Sequence, residues 1–169
     1  GASARKCRAG PAAVTLGDAL KARGYSTAHF GKWHLAPDYN YRPGRPMDPE
    51  SQGFDEVVVT RKPPPDADPE SDPHHVHALT DRAIAFCTRP HRRPFFCVVA
   101  HNAVHRPEIA PAALVARYAA HPAADPDVNR PVLAAMIADL DRGVGRLLDA
   151  LRAAGREQDT LVVFTADHG

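Results

Sequence analysis

Apolar and polar positions alternate along the chain in two different periods. In "VTLGDALKARG", Val14, Leu16, Ala19, Leu20 and Ala22 recur at helical spacing, and Gly24 supplies a stop. "YSTAHF" follows as a short strand. Residues 36–75 hold most of the prolines, including "KPPPDADPESDP", and read as loop, partly disordered. "ALTDRAIAFCTR" predicts a helix, and "PFFCVVA", aromatic and β-branched, predicts a buried strand over 94–100. A proline-bounded stretch, 107–131, leaves room for a short helix at "AALVARYAA". The clearest helix then carries Leu133, Met136, Ile137, Leu140, Val144, Leu147, Leu148 and Leu151 every three or four residues. Asp139, Asp141, Arg142, Arg146 and Arg152 fall mainly off that stripe, and Gly155 ends it. "TLVVFTA" predicts a second buried strand before the closing "DHG". Strand and helix in alternation predict an α/β fold: a mostly parallel sheet flanked by helices.

Composition adds limits to this pattern. With 169 residues and 44% hydrophobic positions, the chain can build a real core and is not a disordered sequence. The formal net charge of +1, with basic residues scattered, gives no electrostatic case for nucleic acid. No apolar run is long enough to cross a bilayer, and "GASARKCRAG" lacks the apolar centre of a signal peptide. Cys7, Cys87 and Cys97 form no CxxC pair, so they read as incidental thiols, with Cys87 and Cys97 as small buried residues. Compartment and oligomeric state stay open.

In an open parallel sheet, ligands collect beyond the carboxyl ends of the strands. Three predicted loops leave such ends. The first, "HFGKWHLAP", carries Lys32 and His34 beside Trp33; the second, "HNAVHRP", carries His101, Asn102 and His105; the third carries Asp167 and His168. A cation, several imidazoles and a carboxylate at one edge suit a metal and a tetrahedral oxyanion. Each group also has a plainer reading: Lys32 as a solvated lysine, Trp33 as packing, His34 as a structural donor, Asp167 as a turn residue. "HHVH" at 74–77 has ligand-rich composition, but it lies in a proline-rich stretch without an acidic or cysteine partner, and an exposed loop is expected there.

"LGDALKARGYSTAHFGKWHL", "QGFDEVVV", "TDRAIAF", "RPFFCVVAHNAVHRP", "MIADLDRGVGRLLDAL" and "TLVVFTADHG" stand in the order of the sulfatase family, within the alkaline-phosphatase-like superfamily. The chain resembles that family over nearly its whole length, except the proline-rich loop at about 61–75, and residues 1–169 are expected to be one partial sulfatase catalytic domain. The resemblance implies sulfate-ester hydrolysis through a formylglycine nucleophile and a divalent metal, calcium by resemblance. It implies that Lys32 binds sulfate, that His34 acts on the formylglycine hydrate, and that His105 serves the leaving group as acid or binds sulfate. It implies Asp167 and His168 as metal ligands, and a sulfate-ester small molecule or sulfated glycan as substrate.

The departures from the family are as informative. The formylglycine site, Cys or Ser, any residue, Pro, Ser or Ala, Arg, is absent: Cys7 is followed by "RAGP" and lies too close to Gly31. The acidic pair of an earlier strand is also absent, and the chain stops at Gly169 before the downstream lysine segment. The chain is therefore expected to be the middle of a sulfatase, and inactive alone. Ala36, Val104 and His168 replace a glycine, a proline and a frequent asparagine. An Asp-His pair also serves phosphonate and phosphodiester hydrolases of the superfamily, and a nitrogen ligand favours manganese or zinc. Those hydrolases, and a non-catalytic remnant or scaffold, are the alternative readings.

Overall fold

The computed structural model describes residues 13–35 and 41–166. Three strands, β1 (Ser26–Gly31), β2 (Glu56–Val59) and β3 (Phe95–Ala100), form a sheet in the order β2-β1-β3. Both pairings are parallel: Ala28 lies opposite Glu56 and Cys97, and Gly31 opposite Val59 and Ala100. The helices are α1 (Leu16–Ala22), α2 (Val76–Thr88), α3 (Ala112–Ala119) and α4 (Pro131–Ala153). The expected α/β class and parallel sheet are what the structure shows.

The period of two along β1 divides its side chains between two layers. Ala28 and Phe30 enter a core with Leu79, Ala83 and Phe86 of α2 and Leu151 of α4. Phe30 meets Phe86 edge-on at 6.0 Å between ring centroids. Burying each of these rings contributes about 1.5–3 kcal/mol. On the other face His29 packs against Phe54, which stacks on Phe96. There α1 is set by a capping box in which Thr15 and Asp18 satisfy each other's backbone amides. Thr15 also donates to the Gln52 carbonyl at 2.8 Å. A second, smaller core joins Ala110, Ala135 and Met136, with Leu114 and Tyr118 of α3 against it. Where α4 crosses α2, Gly143 permits the close approach: a Cβ there would stand 2.8 Å from Thr80 Oγ1 and 2.9 Å from Val76 Cγ1.

Five expectations are corrected. Residues 36–75 are not all loop, since they include β2 and a short 3-10 helix at Pro49–Gln52. "HHVH" is not an exposed loop: His74 is buried, and Val76 and His77 begin α2. The α4 stripe is rotated, so that Ile137 and Leu148 are exposed while Asp139 faces inward and is buried. The stretch 161–166 forms no strand; Leu161 is 90% exposed and Phe164 79% exposed. Its residues have strand preferences, but no neighbour pairs with it, and β3 has only β1 beside it among the described residues. The α1 stripe is also weaker than its spacing suggests, because Val14 and Leu16 are exposed and Gly17 makes the buried contact. No helix among the described residues is long and apolar enough to cross a membrane.

Candidate functional site

Parallel pairing puts the carboxyl ends of β1, β2 and β3 on one edge, and short bonds stitch together the segments leaving them. The Lys32 amide donates to the Ala100 carbonyl at 2.6 Å, and the Thr60 amide donates to the Gly31 carbonyl at 3.1 Å. Asn102 Nδ2 donates to Thr60 Oγ1 at 3.0 Å. Gly31 is the pivot. Its φ of 119° lies where residues with a side chain are strained, and a Cβ would fall 2.0 Å from the Ala100 carbonyl oxygen. Only glycine lets β1 turn there while keeping the bond to β3.

The opening of this loop is braced from beneath. His29 Nε2–H donates to the Lys32 carbonyl at 3.1 Å, and its ring meets Trp33 edge-on with centroids 4.9 Å apart. Trp33 Nε1 donates to the Met47 carbonyl at 2.7 Å. Thus Trp33 packs, while half-buried Lys32 and exposed His34 lie on either side of it in sequence. In the loop after β3, buried Asn102 holds the backbone, and its carbonyl accepts from the His105 amide at 2.7 Å. His105 is exposed, and its Nδ1 lies 2.6 Å from the Arg106 carbonyl. A carbonyl only accepts, so the proton sits on Nδ1 and the neutral ring keeps its lone pair on Nε2.

Lys32, His34 and His105 therefore belong to segments leaving adjacent strands at the same edge. Asp167 and His168 lie outside the described residues, as does Cys7. Among the described residues, no group of three or more His, Cys, Asp or Glu could hold a metal ion. The described donors thus do not fit the divalent ion of the resemblance.

Two features escaped the sequence reading. Thr60, four residues past the start of an unforeseen strand, is the acceptor that links two loops. Asp139 of α4 lies 3.2 Å from His77 Nε2 and 3.4 Å from Arg142, a grouping hidden by its place among apolar positions.

Burial also disfavours charge on several of these histidines. Desolvation pulls His29 down from 6.5 to about 4, and it lowers His74 and His101 as well. In the unfolded chain these rings take up protons below pH 6.5, whereas the folded chain resists, so stability is full above 6.5 and lost as pH falls towards 4. At pH 5, His29 alone should cost about 1–2 kcal/mol. Urea midpoints at pH 7.5 and 5 check this, and His29→Gln should flatten the acid side of the profile.

The sequence matches the Sulfatase family profile over residues 9–169. Arylsulfatase A of Homo sapiens is 27% identical over 189 residues, which cover 92% of this chain and 35% of that protein. The chain thus spans about a third of that relative's length. The crystal structure of Ps i-CgsB in complex with k-i-k-neocarrahexaose superposes with a TM-score of 0.67 at 23% identity, covering 87% of this chain and 38% of that one. A structure titled for the metabolism of multiple glycosaminoglycans by Bacteroides thetaiotaomicron gives 0.65 at 19% identity, covering 88% and 40%. At these identities the structural likenesses speak to the fold.

Proposed function

The chain belongs to the sulfatase family, and from that premise we propose that it supplies the sulfate-handling edge of a sulfate-ester hydrolase. The observation that carries the reading is the stitched edge, where bonds among Gly31, Thr60, Ala100 and Asn102 tie together the segments bearing Lys32, His34 and His105. A sulfate monoester needs positive charge at its non-bridging oxygens, and Lys32 provides it. The departing alcohol needs a proton. His105, with Nδ1–H given to a carbonyl, has Nε2 as the atom that takes up a proton and delivers it. His34 acts on the nucleophile, a formylglycine supplied by a segment that this sequence does not contain. A divalent ion would add charge at the sulfate. Asp167 and His168 are the proposed ligands, with calcium first and manganese or zinc as alternatives; the described residues offer it no site. A sulfated glycan is the substrate class in keeping with the neocarrahexaose complex of one structural neighbour and the glycosaminoglycan metabolism for which another is named.

The test is a leaving-group series on a protein that unites this chain with the formylglycine motif. His105→Ala should slow alkyl and sugar sulfates by about 10²–10⁴-fold, and activated aryl sulfates far less, because a phenolate departs without a proton. Equal dependence on leaving-group pKa in both proteins would remove His105 from the acid role. This polypeptide alone should turn over no aryl sulfate, since the motif that supplies the nucleophile is not in it.

A further inference from the structure

Beside the loop bearing His105 lies a cavity of about 250 Å³, with Ala103 of that loop in its wall. Its walls come from the end of the proline-rich loop and the start of α2, from Ala103 and Ile109 after β3, and from α4. His74 lines it, is only 3% exposed, and has neither ring nitrogen in a well-formed hydrogen bond. The Pro107 carbonyl is the backbone acceptor facing it. Asp139, also buried, contributes Oδ1, which lies near His77 and Arg142 without an aligned bond to either. Two buried polar side chains with unmet capacity, on different elements and lining one cavity, are costly unless something enters to satisfy them.

The chemistry of the lining selects the occupant. The neutral His74 ring offers one donor and one acceptor, and Asp139 offers an acceptor. Met136 and Ile109 supply apolar walls between them. An anion meets the carboxylates of Glu70, Asp72 and Asp139 with one arginine to offset them. A simple cation needs several acceptors together, and no three His, Cys, Asp or Glu among the described residues are grouped to hold one. Glu70 and Asp72 are moreover already accepting from the Ala112 and Ala78 amides at 2.8 Å and 2.9 Å. Hydroxyl groups on an uncharged ring donate and accept at once, and the ring's C–H face lies against the apolar walls.

We propose that this cavity binds an uncharged sugar ring of the substrate, with His74 and Asp139 hydrogen-bonding its hydroxyls. The proposal deepens the sulfatase reading by naming a leaving-group subsite, and it rests on that reading for its place in the reaction.

The probes are three pyranoses of one size: methyl glucoside, glucuronate and glucosamine. Saturation-transfer NMR and amide shifts are recorded on the full chain. Methyl glucoside should receive saturation and move amides at 74–77 and 139–142, with glucuronate at least tenfold weaker. Ile109→Trp, which fills the cavity without removing a polar group, should abolish the transfer; Asp139→Asn should weaken it about tenfold. A preserved amide spectrum shows that each variant is folded. No transfer from methyl glucoside, transfer that survives Ile109→Trp, or tighter binding of either charged probe overturns the proposal. Glycoside binding needs neither nucleophile nor metal. Binding without sulfate-ester hydrolysis in a complete protein would fail the functional reading and leave the subsite standing; hydrolysis without binding would do the reverse.

Discussion

Lys32→Ala, in a protein that joins this chain to its nucleophile, should lower kcat by about 10²–10³ while KM changes far less. The backbone of Lys32 is fixed twice, by its amide on the Ala100 carbonyl and by its carbonyl accepting from His29. In that protein its ammonium would be carried on a preorganised stem and would pay little reorganisation when charge shifts among the sulfuryl oxygens. A cation placed in this way is matched to the transition state more than to the bound ester, so its loss appears mainly in turnover. Steady-state kinetics on one aryl sulfate separates the two parameters. A change confined to KM would show that Lys32 only holds the ester. Lys32→Arg keeps the charge but alters its reach, and recovery of most of the rate would locate the effect in charge and not in shape.

Gly31→Ala should destabilise the fold by about 2–5 kcal/mol, from backbone strain and overpacking together. The φ of 119° is unfavourable for alanine, and the new methyl would overlap the Ala100 carbonyl, the acceptor for Lys32. Relief of that overlap has to move β1 from β3 at the point where the edge is tied. Gly24→Ala is the control. Gly24 also has positive φ, at 85°, but nothing lies within 4 Å of its Cβ position. That variant should cost only the left-handed penalty, about 1–2 kcal/mol. Denaturant unfolding of the two proteins separates strain from collision. Equal losses would mean that the tight approach at Gly31 carries no weight.

Much of the fold was legible because its elements announce themselves locally. The stripe of α4 and the aromatic run of β3 need no partner to be recognised. β2 did not, since four residues beside a proline-rich loop carry little periodicity, and Glu56–Val59 is a strand only because β1 lies alongside. The reverse happened at 161–166, where strand-like residues find no ladder among the described residues. Strand identity belongs to a pair, and propensity reports one member of it. At the edge, Lys32, His34 and His105 were legible from loop position. The bond that ties two of the segments leaving that edge runs between Thr60 and Asn102, whose pairing is tertiary. Asp139 was misplaced because a buried acid looks like a surface acid in sequence, and its neighbours His77 and Arg142 differ in kind: one comes from another helix, the other from the next turn of α4.

Among the described residues β3 pairs only with β1, and with the exposed apolar stretch Leu161–Phe164 this amounts to an unsaturated bond of the fold. An unpaired strand edge, like an exposed run of leucine, valine and phenylalanine, will accept the first extended backbone that arrives, native or foreign. Assembly then becomes a race. A covering strand held nearby by the same chain has a high effective concentration and wins early, whereas a delayed one competes with every unfolded neighbour in a crowded cell. The order in which segments become available would thus decide between a finished sheet and a precipitate, before the edge that carries Lys32 and His105 is complete.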